Sequence, residues 1–96
     1  MVIWITGLSG AGKTTLCNAL YARLKKEVPA TVMIDSEVLR GILDPALSYQ
    51  EDDRKKQVKK VQRLAKLLSD QGLIVIVAIL YSHPELLNWN RQNFIN

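Results

Sequence analysis

The chain has 96 residues, 48% of them apolar, with a formal net charge of +4; that length allows one small domain with a modest core, and the mild basicity suits an anionic small ligand as well as a weak attraction to nucleic acid. The longest apolar run, Leu73 to Tyr81, covers nine residues, too few for a membrane-spanning helix of roughly 20, and the N-terminus lacks a basic leader and is interrupted at Gly7, which argues against a signal peptide. A single cysteine, Cys17, cannot form an internal disulfide and reads as a small core residue of a reducing compartment, so a cytoplasmic location is expected.

Val2 to Thr6 is β-branched and aromatic and runs straight into glycines, which predicts a short buried strand. From Lys13 to about Lys26, Leu16, Leu20 and Leu24 recur at every fourth position with Ala19 between them, which predicts a helix with one apolar stripe. Pro29 ends it, and Thr31 to Ile34 is a second strand that closes on Asp35. A short helix is expected over Glu37 to Leu43, then a turn at Asp44-Pro45. Ser48-Tyr49-Gln50-Glu51 has capping-box spacing and predicts the start of a long helix. Val58, Val61, Leu64, Ala65 and Leu68 form its apolar face, Lys55, Lys56, Lys59, Lys60, Arg63 and Lys66 its solvated one, and Gly72 suits its C-terminal cap. Leu73 to Leu80 is unbroken apolar sequence, as in a central parallel strand covered on both faces, and Ser82-His83-Pro84-Glu85 opens a further helix with a second capping box.

The order β-α-β-α-β-α implies an α/β fold with a parallel sheet, right-handed crossovers and flanking helices. The sequence shows no repeats, linkers or low-complexity tracts. It stops at Asn96 inside the last helix, as the N-terminal portion of a single truncated domain would.

Gly7-Leu8-Ser9-Gly10-Ala11-Gly12-Lys13-Thr14 satisfies G-x-x-x-x-G-K-[ST] directly after a strand and at the start of a helix. Glycines turn backbone N–H groups toward phosphates, and the helix N-terminus adds a favourable dipole. Lys13 would reach the β and γ phosphates of ATP and Thr14 would ligate magnesium, with Thr15 completing the nucleotide-binding stretch. A nucleoside triphosphate with Mg2+ is therefore the expected ligand pair. The third strand ends Val77-Ala78-Ile79-Leu80 without a carboxylate, which argues against motor and switch ATPases and leaves a small kinase of the P-loop NTPase type.

Val2 to Leu16 resembles the opening of adenylylsulfate kinases nearly residue for residue. The family's Asp-Gly-Asp-x-x-Arg is matched by Asp35-Ser36-Glu37-Val38-Leu39-Arg40, and its aromatic residue followed by Asp-Arg-x-x-Asn by Tyr49, Asp53-Arg54 and Gln57. Asp70 to Ala78 resembles the helix end and third strand. The resemblance covers essentially the whole chain and implies that ATP phosphorylates the 3'-hydroxyl of adenylylsulfate, as in sulfate assimilation. It further implies that Asp35 and Glu37 lie near that hydroxyl, with Glu37 orienting or deprotonating it. On the same basis Arg40 and Arg54 would bind the acceptor's anionic groups, Tyr49 would stack on its base and Gln57 would hydrogen-bond nearby. Ser82 stands near the family's serine after strand three, with one extra residue before Pro84.

Each assignment has a plainer alternative. Asp35 and Glu37 could simply cap the short helix. Tyr49 could be a core or staple contact, and the two readings stand level. For Ser82 an N-cap is preferred over a chemical role, and His83 reads as an exposed first-turn residue. The departures from the family pattern, Ser36 for Gly, Glu37 for Asp and Gln57 for Asn, fall on the acceptor side while the ATP side is intact. A related kinase acting on another activated nucleotide of surface-polysaccharide modification is thus an alternative. So is a nucleotide-binding fragment without catalysis, because the family's lid and C-terminal segment would lie beyond Asn96. Nucleic-acid binding by the Lys55 to Lys66 helix has charge behind it but no interleaved aromatics and is not expected. The isolated chain is expected to be marginally stable, and to pair with a second copy through a sheet edge or be inactive alone.

Overall fold

A computed structural model describes residues 1–6, 13–43, 50–79 and 83–94, with residues 13–15 and 43 as backbone only. The elements are β1 (Val2–Thr6), α1 (Lys13–Glu27), β2 (Thr31–Asp35), α2 (Ser36–Leu43), α3 (Glu51–Asp70), β3 (Ile74–Ile79) and α4 (Pro84–Asn93). The three strands form one parallel sheet in the order β1-β3-β2. Of β3, Val75 to Ile79 are all buried, as expected of a strand paired on both edges and covered on both faces.

Strand alternation divides the sheet into two faces. Val2 and Trp4 of β1 stand beside Val75 and Val77 of β3, which stand beside Val32 and Ile34 of β2. These residues pack with Val58, Val61 and Ala65 of α3 and with Leu86 of α4 in one core. The opposite face carries Ile3, Ile5, Ile76, Ala78, Met33 and Asp35 and receives α1, which contacts all three strands.

The centre of the α1 stripe differs from expectation. Cys17 is buried, Leu20, Tyr21 and Leu24 are partly buried, but Leu16 is 58% exposed and Ala19 faces solvent. Residues four apart drift by about 40° per step around a helix, so a line of 16, 20 and 24 leaves the contact face, whereas 17, 20, 21 and 24 stay on one side.

Both predicted capping boxes also move. α3 begins at Glu51 after Gln50, whose side chain makes no cap hydrogen bond; Glu51, Asp52 and Asp53 instead place three carboxylates in the first turn, where the helix dipole favours them. Ser48 and Tyr49 lie outside the described residues. At α4 the N-cap is His83, not Ser82: its Nδ1 accepts from the Glu85 N–H at 3.2 Å. A residue before proline is excluded from helical geometry, so His83 cannot be the first helical residue, and it is extended at φ −145°, ψ 139°. Pro84 then takes the first helical position, where its missing N–H costs nothing. Ser82 itself lies outside the described residues, as does Leu80 at the expected end of the third strand.

The C-terminus of α3 follows the prediction. Gly72 has φ +88°, its N–H donates to Ser69 O at 3.0 Å, and the Leu73 N–H donates to Leu68 O at 3.3 Å. This crossed pair is a Schellman motif, which turns the chain directly into β3. α4 is held on α3 by Gln62, whose Nε2 donates to Leu86 O and Asn90 Oδ1, both at 2.8 Å. Trp89 covers the Arg63 guanidinium, 4.0 Å from its ring centroid.

Two outcomes are expected. His83→Ala should destabilise the protein by about 1 kcal/mol through loss of the α4 cap, whereas His83→Asn should restore most of it; equal stabilities in urea titrations would show that the imidazole does not cap. Among the described residues β1 is paired on its β3 side only, so the isolated 96-residue chain should associate through that apolar edge. Sedimentation velocity checks this, and a cooperatively unfolding monomer would contradict it.

Candidate functional site

Parallel strands bring their C-terminal ends to one edge of the sheet. Thr6 pairs with Ile79 and Asp35 with Ala78, so β1 and β2 finish level on either side of β3, two strand spacings or about 9.5 Å apart. Lys13 opens α1 immediately after the segment that follows β1, and α1 lies on the face to which Asp35 belongs. The positive end of α1 and the Asp35 carboxylate thus share both a sheet edge and a sheet face. Ala78 between them is the smallest side chain of β3 and is buried.

Of the residues assigned from the sequence, Gly7, Leu8, Ser9, Gly10, Ala11, Gly12, Tyr49 and Ser82 lie outside the described residues. Lys13, Thr14 and Thr15 form the first turn of α1. Asp35 ends β2, and its Oδ1 accepts from the Glu37 N–H at 2.9 Å, so the capping alternative for Asp35 describes a real contact. That bond fixes the carboxylate at the sheet edge. Glu37 is exposed in the first turn of α2, and Arg40 follows three residues later, half-buried on the neighbouring helical position.

The second wall is α3. Arg54 is half-buried and Gln57 is buried one turn further on. Gln57 Nε2 donates to Ser36 O at 3.0 Å, which ties α3 to the residue directly after Asp35. The β2–α2 segment that carries Asp35, Glu37 and Arg40 is therefore joined to α3, which carries Arg54 and Gln57, through one buried hydrogen bond. Sequence reasoning named Gln57 but missed this bond, because its acceptor is a backbone carbonyl that no motif displays.

The edge is chemically mixed. The segments that reach it carry carboxylates, Asp35 and Glu37, which can accept a proton or face a hard cation, and arginines, Arg40 and Arg54, which suit anions. Among the described residues no three His, Cys, Asp or Glu side chains cluster as a metal site, and no described helix is long and apolar enough to cross a membrane. A cavity of about 240 Å3 lies at the opposite edge of the sheet, lined by Met1, Lys66, Ser69, Asp70, Asn93 and Phe94. Its one ion pair, Lys66 with Asp70 at 3.1 Å, is solvent-exposed and contributes little.

A parallel sheet with a helix N-terminus and a carboxylate at its C-terminal edge is the arrangement of an α/β protein of the P-loop type. The family model for adenylylsulphate kinase matches residues 1–94, and the chain belongs to that family. It is 46% identical over 79 residues to the adenylyl-sulfate kinase of Paraburkholderia xenovorans strain LB400, covering 82% of this chain and 44% of that protein. It is 38% identical over 95 residues to the cytidine diphosphoramidate kinase of Campylobacter jejuni, covering 99% of this chain and 55% of that protein. The chain thus spans about half the length of the curated relatives it matches. Among solved structures it resembles the Mycobacterium tuberculosis APS kinase in complex with AMPPNP and APS, with a TM-score of 0.82 and 29% identity over 95% of this chain and 53% of that one. A hexameric APS kinase from Thiobacillus denitrificans gives a TM-score of 0.84 and 28% identity over 95% of this chain and 19% of that one.

The Asp35 cap yields a direct expectation. Asp35→Ala should cost about 1 kcal/mol of stability, and Asp35→Asn, which keeps a side-chain acceptor, should recover most of that. Thermal unfolding checks it: Ala and Asn variants of equal stability would remove the cap from the account.

Proposed function

We propose that the protein to which this chain belongs is an ATP-dependent kinase that phosphorylates the 3'-hydroxyl of a nucleotide carrying an activated anionic group, with adenylyl sulfate as the leading acceptor and 3'-phosphoadenylyl sulfate as product. The observation that carries the reading is the meeting of Asp35, Glu37 and the α1 N-terminus at one sheet edge, together with membership of the family.

In this reading the backbone of Gly7 to Gly12 cradles the phosphates and Lys13 neutralises the β and γ groups. Glu37 takes the proton of the accepting hydroxyl as its oxygen bonds to the γ-phosphorus and the bond to the β–γ bridging oxygen breaks, releasing ADP. Arg40 and Arg54 hold the acceptor's anionic groups, Tyr49 lies against its base and Gln57 hydrogen-bonds to it. Thr14, with Asp35 on the same face, offers the oxygen donors that Mg2+ prefers, and the ion when bound would screen the charge of the phosphates. Ser82 is left without a chemical step.

A second reading is a kinase for another activated nucleotide. It is favoured by the Campylobacter jejuni cytidine diphosphoramidate kinase, whose similarity runs through 95 residues of this chain. For the 96 residues taken alone, phosphate binding without turnover is the third.

Two substitutions separate the halves of the site. Lys13→Ala should abolish ATP binding, measured calorimetrically, while the circular dichroism spectrum is retained. Glu37→Gln should lower kcat by about 10²-fold or more, the low end for a positioned general base, and leave ATP affinity nearly unchanged. Unaltered ATP affinity in the first variant would reject the phosphate-binding assignment; weakened ATP binding alone in the second would move Glu37 to the metal.

A further inference from the structure

One peptide group at the start of α2 is held at both of its polar ends. The C=O of Ser36 accepts from Gln57 Nε2 at 3.0 Å, and the N–H of Glu37, the other half of the same peptide group, donates to Asp35 Oδ1 at 2.9 Å. A peptide group is planar, and no cis bond occurs among the described residues, so this oxygen and this hydrogen point to opposite sides of the chain. The plane cannot turn without straining both bonds. It ends at the Glu37 Cα, so its orientation sets where the Glu37 side chain begins.

The two holds are unequal. The bond to Asp35 is exposed, where water competes for the N–H, whereas Gln57 is 6% exposed and its bond is buried. A hydrogen bond shielded from water is the stronger restraint. Gln57 also stands on α3 beside Val58, which is packed in the core with Val61 and Ala65, so the turn is anchored to the core. Gln62, the other buried glutamine of α3, offers a comparison. It is 1% exposed and donates to Leu86 O and Asn90 Oδ1, binding α4 instead of the β2–α2 turn. The departures from the resembled pattern converge on the same peptide: Ser36 and Glu37 are its two residues, and Gln57 is the donor that holds it. A longer carboxylate arm at position 37 is accompanied by a longer amide arm at position 57.

Resting on the kinase reading, in which Glu37 takes the proton of the accepting hydroxyl, we propose that Gln57 is a positioning residue: through the Ser36–Glu37 peptide it aims the Glu37 carboxylate, without touching the reacting atoms. A general base works only within hydrogen-bond reach of its proton. A small rotation of this peptide therefore lowers turnover while the contacts that bind ATP and the acceptor persist.

The test uses the full-length protein with ATP, Mg2+ and whichever of adenylyl sulfate and a nucleoside diphosphoramidate it turns over faster. Gln57→Met keeps the bulk and removes the donor, so kcat should fall about tenfold or more, with KM for ATP and for the acceptor within about twofold of wild type. Gln62→Met, the same change at the packing glutamine, should lower the urea midpoint yet leave kcat unchanged. In a Glu37→Gln background, where no base remains to be aimed, Gln57→Met should cost little further kcat. Gln57→Asn, one methylene shorter, withdraws the amide from Ser36 O; it carries the same expectations and takes the place of Gln57→Met if that variant does not fold. An unchanged kcat, a rise in acceptor KM alone, equal losses of kcat from the two glutamines, or the same loss in the Glu37→Gln background overturns the inference and leaves the kinase reading in place. A wild-type protein that binds ATP but phosphorylates neither acceptor removes the kinase reading, and this inference with it.

Discussion

The structure depends on the double pairing of β3. Because Ile74–Ile79 hydrogen-bonds to β1 on one side and β2 on the other, it needs apolar side chains on both faces, and it has them at every position. Burying one valine or isoleucine contributes roughly 1.5–3 kcal/mol, so the run Val75 to Ile79 is comparable to the whole net stability of a small domain, about 5–15 kcal/mol. Among the described residues no other element has as many fully buried apolar side chains. The same pairing sets the function, since parallel strands in this register must end together, and their ends carry Thr6, Asp35 and the chain leading into α1.

From that edge the chemistry follows by alternation. Asp35 lies on the α1 face because Met33 and Thr31 do, and an insertion of one residue in β2 would turn its carboxylate toward α3. The hydrogen bond from the Glu37 N–H then aims the carboxylate, and the bond from Gln57 to Ser36 O fixes how far α3 stands from that turn. Two contacts thus tie the sheet edge to α2 and α3, and the proposed ATP and acceptor sides would lie on either part of that edge. The chain matches relatives of more than one printed activity, and the sequence departures at Ser36, Glu37 and Gln57 lie outside the phosphate-binding motif.

Much of this was legible in the sequence, for identifiable reasons. Unbroken apolar sequence from Leu73 onward marked the central strand, the β-branched run Thr31 to Ile34 marked β2, and Gly72 marked the end of α3, because each is a local signal that tertiary packing reinforces. The misread features are those where two local rules compete. At α4 the capping box of Ser82 and Glu85 lost to the restriction that Pro84 places on His83. On α1 the leucine spacing pointed to Leu16, but a flat sheet face selects the residues on one side of the helix and took Cys17 instead. The link from Gln57 to the Ser36 carbonyl had no sequence signal at all, since it joins a side chain to backbone 21 residues away.

The central claim is that the triphosphate and the residues from Asp35 to Glu37 meet at the C-terminal edge of the sheet. Paramagnetic broadening of backbone amide resonances by Mn2+-ATP, measured on the full-length protein, tests it most directly. Strong broadening is expected at Asp35, Ser36 and Glu37 and little at Ser69 to Leu73, which lie at the other edge. Broadening concentrated at Ser69 to Leu73, or the absence of any effect at Asp35 to Glu37, would contradict it.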